Sequence, residues 1–107
     1  MIYYEYDKFG KDDVIIIEEY PNLHYPHPHF HRNYEFVSLY EGKLEILIDD
    51  ENFVLEGGQF LMVHPNQIHA FTSLGGAHAR VCIFSPKIVN AFYQNTLNLR
   101  PLKRVVT

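Results

Sequence analysis

His29-Phe30-His31-Arg32-Asn33-Tyr34-Glu35, closed by Gly42, is the stretch whose reading decides the fold of this chain. On an extended strand successive side chains alternate faces, so His29 and His31 point the same way with Cα atoms roughly 6–7 Å apart. A single metal ion can bridge that spacing. Glu35 lies an even number of residues from both and joins them unless a tight turn at Arg32-Asn33 reverses the parity. A fourth candidate, His69, has to come from a distant strand.

Three neutral imidazoles and one carboxylate form a mixed nitrogen and oxygen set that suits a divalent transition metal, Zn, Ni, Fe(II) or Mn, and four protein ligands leave open positions on an octahedral ion. The residues alone leave two other readings open. The same side chains can line a ligand pocket, donating and accepting hydrogen bonds without metal. A His-rich segment between prolines can also be solvated loop, the fate expected for His24, His27 and His78. No cofactor is therefore assigned from the residues themselves.

The 107 residues make one domain, large enough to bury a core. Eight Tyr and eight Phe without Trp favour sheet over helix. The single Cys82, inside an apolar run, permits no disulfide framework, fits a reducing compartment and reads as buried filler. The net charge of −4 is relieved by no basic stripe except Lys103-Arg104, which argues against strong nucleic-acid binding by this chain alone. No apolar run is long enough to span a bilayer and the first residues do not form a signal peptide, so a cytoplasmic location without membrane contact is expected.

Along the chain, residues 1–13 read as an N-terminal arm and residues 14–84 as the β domain. Residues 85–107 read as a C-terminal helix and tail. Residues 14–17 form a β-branched first strand, and the prolines at 21, 26 and 28 make an extended connection into the His strand. Residues 34–40 alternate, Glu35, Val37 and Leu39 on one face and Tyr34, Phe36, Ser38 and Tyr40 on the other. Glu41-Gly42 reads as the turn before a second alternating strand at 44–48. Polar or Gly-rich turns follow at 49–52, at 56–58 and at 64–67, with a loop at 74–77, and strands lie between them. Seven or eight short strands at this spacing suit a barrel or sandwich. Ser85-Pro86 is a helix start, a hydroxyl cap followed by a proline pre-set for the first helical position. Ile88, Val89, Phe92 and Tyr93 then recur at helical spacing.

In this register the chain resembles the cupin family. Its first motif, His-x-His, a gap, Glu, six residues and Gly, is matched by His29, His31, Glu35 and Gly42, with Leu23 where a leading glycine usually stands. The second motif, a Gly with a His eleven positions on, is matched by Gly58 and His69, and fifteen residues separate Gly42 from Gly58. Inside it His64 stands where proline is usual, Asn66 replaces a glycine and Ser73 replaces the closing asparagine. Asn66 is a mild departure, because Asn tolerates the left-handed conformation. The Pro-rich approach, Tyr34-Glu35-Phe36, Glu41-Gly42-Lys43-Leu44, Pro65-Asn66-Gln67-Ile68-His69 and Phe84-Ser85-Pro86 further resemble the N-terminal sensor domain of AraC-type transcription regulators.

That resemblance implies a mainly β fold, the double-stranded β-helix or cupin jelly-roll barrel, with a C-terminal α-helix. It implies a small-molecule effector, often a sugar, bound in the barrel and shifting the arrangement of a homodimer or of a DNA-binding domain. DNA would be reached only through two helix-turn-helix units that these residues do not contain, so the chain is expected to be a sensor cut from a longer protein or a free-standing relative. The expected ligand-binding residues are His29, His31, Glu35, His69, Tyr40 and His64, the candidate metal ligands His29, His31, Glu35 and His69, and no residue is expected to be catalytic. The alternative is a small metal-dependent cupin enzyme, a dioxygenase or isomerase, using the three-His one-Glu site. It needs a general acid or base, for which His64 and Tyr40 are candidates by position.

Overall fold

Alternating apolar and polar residues produce strands over most of the described residues. The computed structural model describes residues 2–4, 15–87 and 105–106. Among these residues eight strands follow one another: β1 (Tyr3–Tyr4), β2 (Ile15–Tyr20), β3 (Tyr25–Phe30), β4 (Tyr34–Ile48), β5 (Glu51–Glu56), β6 (Phe60–Val63), β7 (His69–Phe84) and β8 (Val105–Val106). Their order along the sheet is β1-β3-β7-β4-β6-β8, with β2 also on β7 and β5 also on β4. Every pairing is antiparallel except β1 with β3.

The two long strands, β4 and β7, carry the architecture. The first half of β4, Tyr34 to Leu39, pairs with Phe84 to Ala79 of β7 and with β6. Its second half, Leu44 to Ile48, pairs with Ser73 to His69 and with β5. The register shifts between the halves, where Gly42 (φ 79) of β4 meets Gly75 and Gly76 of β7. A Cβ on Gly42 would run into the carbonyl oxygens of both glycines, so only glycine lets the two backbones pass at this bend. The expected turn at Glu41-Gly42 and the expected loop at 74–77 are thus bends inside continuous strands. The reason is tertiary: Gly75 registers opposite Lys43, and Gly42 sits at the shift in register between the two paired strands rather than ending a hairpin.

Two further expectations shift. The Pro-rich connection ends in strand β3, whose ladder to β7 is irregular between Tyr25 and His29, where Pro26 and Pro28 supply no N–H. The polar turn after β4 is reduced to Asp49-Asp50, and Glu51 and Asn52 already belong to β5. Of the arm, Tyr3–Tyr4 form an edge strand, Tyr3 opposite His29 and Tyr4 opposite Phe30. Pro86 and Lys87 are helical after a buried Ser85, and the rest of the expected helix lies outside the described residues.

Inward-facing residues of both halves make one core: Val37, Leu39, Leu44, Ile46, Leu55, Leu61, Val63, Val81 and Ile83 among them, each nearly or fully buried. The alternation expected for 34–40 holds, with Glu35, Val37 and Leu39 buried and Tyr40 exposed. Among the described residues no helix is long and apolar enough to cross a membrane.

Candidate functional site

At one end of this apolar interior the same inward row becomes polar. His29, His31, Asn33 and Glu35 share one parity, and all four are buried, as is His69. The bend at Arg32-Asn33 therefore keeps the parity that the spacing required. Registry places His29 directly opposite His69, where β3 runs beside β7. His31 is anchored through its carbonyl, which accepts the Asn66 N–H at 2.7 Å from the turn that precedes His69. Asn66 holds that turn at φ 65, the left-handed conformation that Asn tolerates where the second motif has glycine.

Both His31 and His69 converge on one carboxylate oxygen. His31 Nε2 lies 2.9 Å and His69 Nε2 3.4 Å from Glu35 Oε1. The His29 ring is centred 4.2 Å from that of His69 and 6.4 Å from that of His31. Main-chain carbonyls orient two of the rings: His29 Nδ1 donates to the His27 carbonyl and His69 Nδ1 to the Gln67 carbonyl, each at 2.8 Å. In His31 the same atom instead accepts the Asn33 N–H at 3.3 Å. Phe71 and Tyr25 supply aromatic walls, with ring centroids 5.7 Å from His69 and 5.0 Å from His29.

These surroundings set the charges. Burial raises the Glu35 pKa, but the hydrogen bond donated by His31 Nε2 leads the interactions that outweigh it and hold the carboxyl at about 2. Burial, with the neighbouring His69, pushes His29 down to about 4, and its hydrogen bond to the His27 carbonyl only partly opposes this. Near neutral pH the cluster is an ionised carboxylate facing a neutral His29.

Ligand atoms of His31, Glu35 and His69 all lie within 4.8 Å of one another, a two-nitrogen, one-oxygen set whose chemistry fits a divalent transition metal. His29 stands beside this trio. Tyr40 and His64 are not brought to the cluster. Tyr40 is exposed on the outer face, packed edge-on against His78 at 5.2 Å with the Arg80 guanidinium 5.7 Å from its ring centre. His64 is half-buried beside the Tyr34 ring, 5.5 Å between centroids. Asn33 is not among the expected site residues, although its parity matches theirs and it is buried with them. Asp49 is not among them either; its Oδ1 accepts the Ile68 N–H at 3.0 Å and its Oδ2 accepts from Gln67 Nε2 at 3.3 Å, bracing the turn whose carbonyl orients His69. No local pattern announces that role.

Residues 13–105 match the family model described as the AraC-like ligand binding domain. No curated protein matches the sequence. Among solved structures, a conserved protein of unknown function from Streptococcus pyogenes is similar over 79% of this chain and 81% of its own, with 18% identity and a TM-score of 0.61. An RmlC-like cupin from Shewanella frigidimarina shares 20% identity over 67% of this chain and 66% of its own, TM-score 0.56. An HTH_3 family transcriptional regulator from Vibrio cholerae shares 17% over 76% of this chain and 48% of its own, TM-score 0.58. These likenesses identify the fold as a cupin-type barrel.

Proposed function

Because the chain belongs to the AraC-like ligand-binding domain family, we propose that it is the effector-sensing part of a transcription regulator, binding a small molecule such as a sugar at His29, His31, Glu35 and His69. The observation that carries this reading is the polar cluster itself. Removing an ionised carboxylate from water costs several kcal/mol even after relaxation, and the fold has to supply a buried hydrogen bond from His31 to offset it. The next inward positions on the same strand, Val37 and Leu39, are apolar and fully or almost fully buried, so the barrel does not need charge to close. A buried carboxylate ringed by imidazoles is better accounted for by something it binds.

A ligand acts on a regulator only through different affinities for two states of it. The elements placed to respond are β1, whose Tyr3 registers opposite His29, and the helical turn begun at Pro86 at the end of β7. Homodimer contacts and DNA binding belong, in this reading, to the assembled regulator, with the helix-turn-helix units outside these 107 residues. A thermal-shift screen of sugars, followed by calorimetry on any hit, tests it. His29→Ala and His69→Ala are expected to weaken binding by at least about tenfold with the circular dichroism of the fold retained. Hits whose affinity neither substitution changes would place the effector elsewhere.

A second reading rests on the proximity of the His31, Glu35 and His69 ligand atoms: a small metal-dependent enzyme, a dioxygenase or isomerase. A divalent metal held by these three would supply Lewis acidity to a bound substrate. Proton transfer would then need a group besides the ligands, and Tyr40 and His64 both stand apart from the cluster. Elemental analysis by plasma mass spectrometry, on protein purified without an affinity metal, separates the readings. Near-stoichiometric metal, lost in His69→Ala, favours the enzyme.

A further inference from the structure

The three imidazoles are held in two different ways. His29 and His69 each present Nδ1 to the carbonyl of the residue two positions earlier, at 2.8 Å in both cases. A carbonyl only accepts, so the proton is on Nδ1 and Nε2 carries a lone pair. His31 is turned the other way. Its Nδ1 accepts the Asn33 N–H, and its Nε2 faces Glu35 Oε1 at 2.9 Å, so its proton is on Nε2.

We infer that His31 is a positioning residue that holds the Glu35 carboxylate, while His29, His69 and Glu35 together form an all-acceptor face that takes a ligand through its hydroxyl or ammonium donors and rejects carboxylates. The inference rests on the sensing reading above and deepens it to a ligand class. The spacing around Glu35 supports it. His31 approaches to a donor's distance, whereas His69 Nε2 and Glu35 Oε1, both acceptors, stand 3.4 Å apart, and a donor group placed between them is shared by both. A carboxylate brought to the same place meets two lone pairs and a like charge. To ligate a metal through Nε2, His31 would have to move its proton to Nδ1, where it would confront the Asn33 N–H.

The deciding experiment is a long-range proton–nitrogen correlation spectrum of the full chain, labelled at histidine nitrogen and treated with chelator, at neutral pH. Protons on Nδ1 of His29 and His69 and on Nε2 of His31 are expected. A proton on Nε2 of His69 overturns the inference. His31→Gln, which keeps a side-chain N–H in place of Nε2–H, should leave the His29 and His69 signals unchanged, whereas His31→Leu should shift those of His69. Equal shifts in both variants would also overturn it. Glucose, glucosamine and glucuronate are then added in turn, and the first two should perturb His29 and His69 while glucuronate should not. Perturbation by glucuronate alone refutes the all-acceptor face. If none of the three perturbs the assigned signals, the spectrum still supports the proton placement, and it is sugar sensing that fails.

Discussion

Gly42 and Gly75 lie against each other where the two long strands bend, and a Cβ on Gly42 would overlap the Gly75 carbonyl oxygen. Gly42 also holds φ 79, so substitution adds conformational strain to the overlap. Gly58 has a comparable φ of 92 with nothing within 4 Å of an added Cβ. Gly58→Ala should therefore cost only the left-handed strain, about 1–2 kcal/mol. Gly42→Ala should cost at least about 3 kcal/mol, since backbone atoms must also move. Urea denaturation of the pair checks this, and equal losses would show that the bend can open at little cost.

Glu35→Leu leaves the buried His31 Nε2–H facing a hydrocarbon and should destabilise by about 2–3 kcal/mol. Glu35→Gln keeps an oxygen acceptor and should lose about 1 kcal/mol or less. If the two variants unfold at the same urea concentration, the hydrogen bond is not what stabilises the carboxylate.

Much of this site was legible from parity. His29, His31 and Glu35 differ by even numbers, and the bend at Arg32-Asn33 preserves the count, so their common burial follows from strand geometry. Tyr40, an odd number from Glu35, is outward by the same rule. What the sequence conceals is pairing between distant residues. Gly42 and Gly75-Gly76 each resemble a hairpin turn locally, and only the match of β4 to β7 turns them into bends of single strands. The proton positions on the three rings depend on carbonyls and N–H groups of particular neighbours, His27, Gln67 and Asn33, which no spacing rule specifies.

Acid should weaken the fold in two overlapping steps of the same sign. His29 sits at about 4 in the folded protein against an ordinary 6.5, so on acidification the unfolded chain takes up this proton first. Its contribution is fully present above 6.5 and is lost as pH falls toward 4. Glu35, at about 2 against 4.5, behaves alike, its contribution lost between 4.5 and 2. Melting temperature should be flat on the alkaline side of neutrality and decline below it. His29→Gln should remove the upper step and leave the lower one. A variant whose profile keeps the full decline between 6.5 and 4 would assign that step to another group.

Asp49 braces the turn that orients His69, and its substitution should be felt at the site although its own side chain is exposed. Asp49 holds φ 54, accepts from the Ile68 N–H and Gln67 Nε2, and donates its own N–H to the Ile68 carbonyl at 2.6 Å. Asp49→Ala loses both side-chain bonds and tolerates the positive φ less well, for an expected loss of about 1.5–3 kcal/mol. Asp49→Asn keeps an oxygen for Ile68 and a residue type suited to the left-handed region, so about 1 kcal/mol or less is expected. The histidine spectrum provides the second readout. With the Gln67 carbonyl no longer fixed, the His69 Nδ1–H signal should broaden or shift in Asp49→Ala while that of His29, held by the His27 carbonyl, stays in place. If both signals move together, the Asp49 substitution has loosened the barrel as a whole and the turn is not what orients His69.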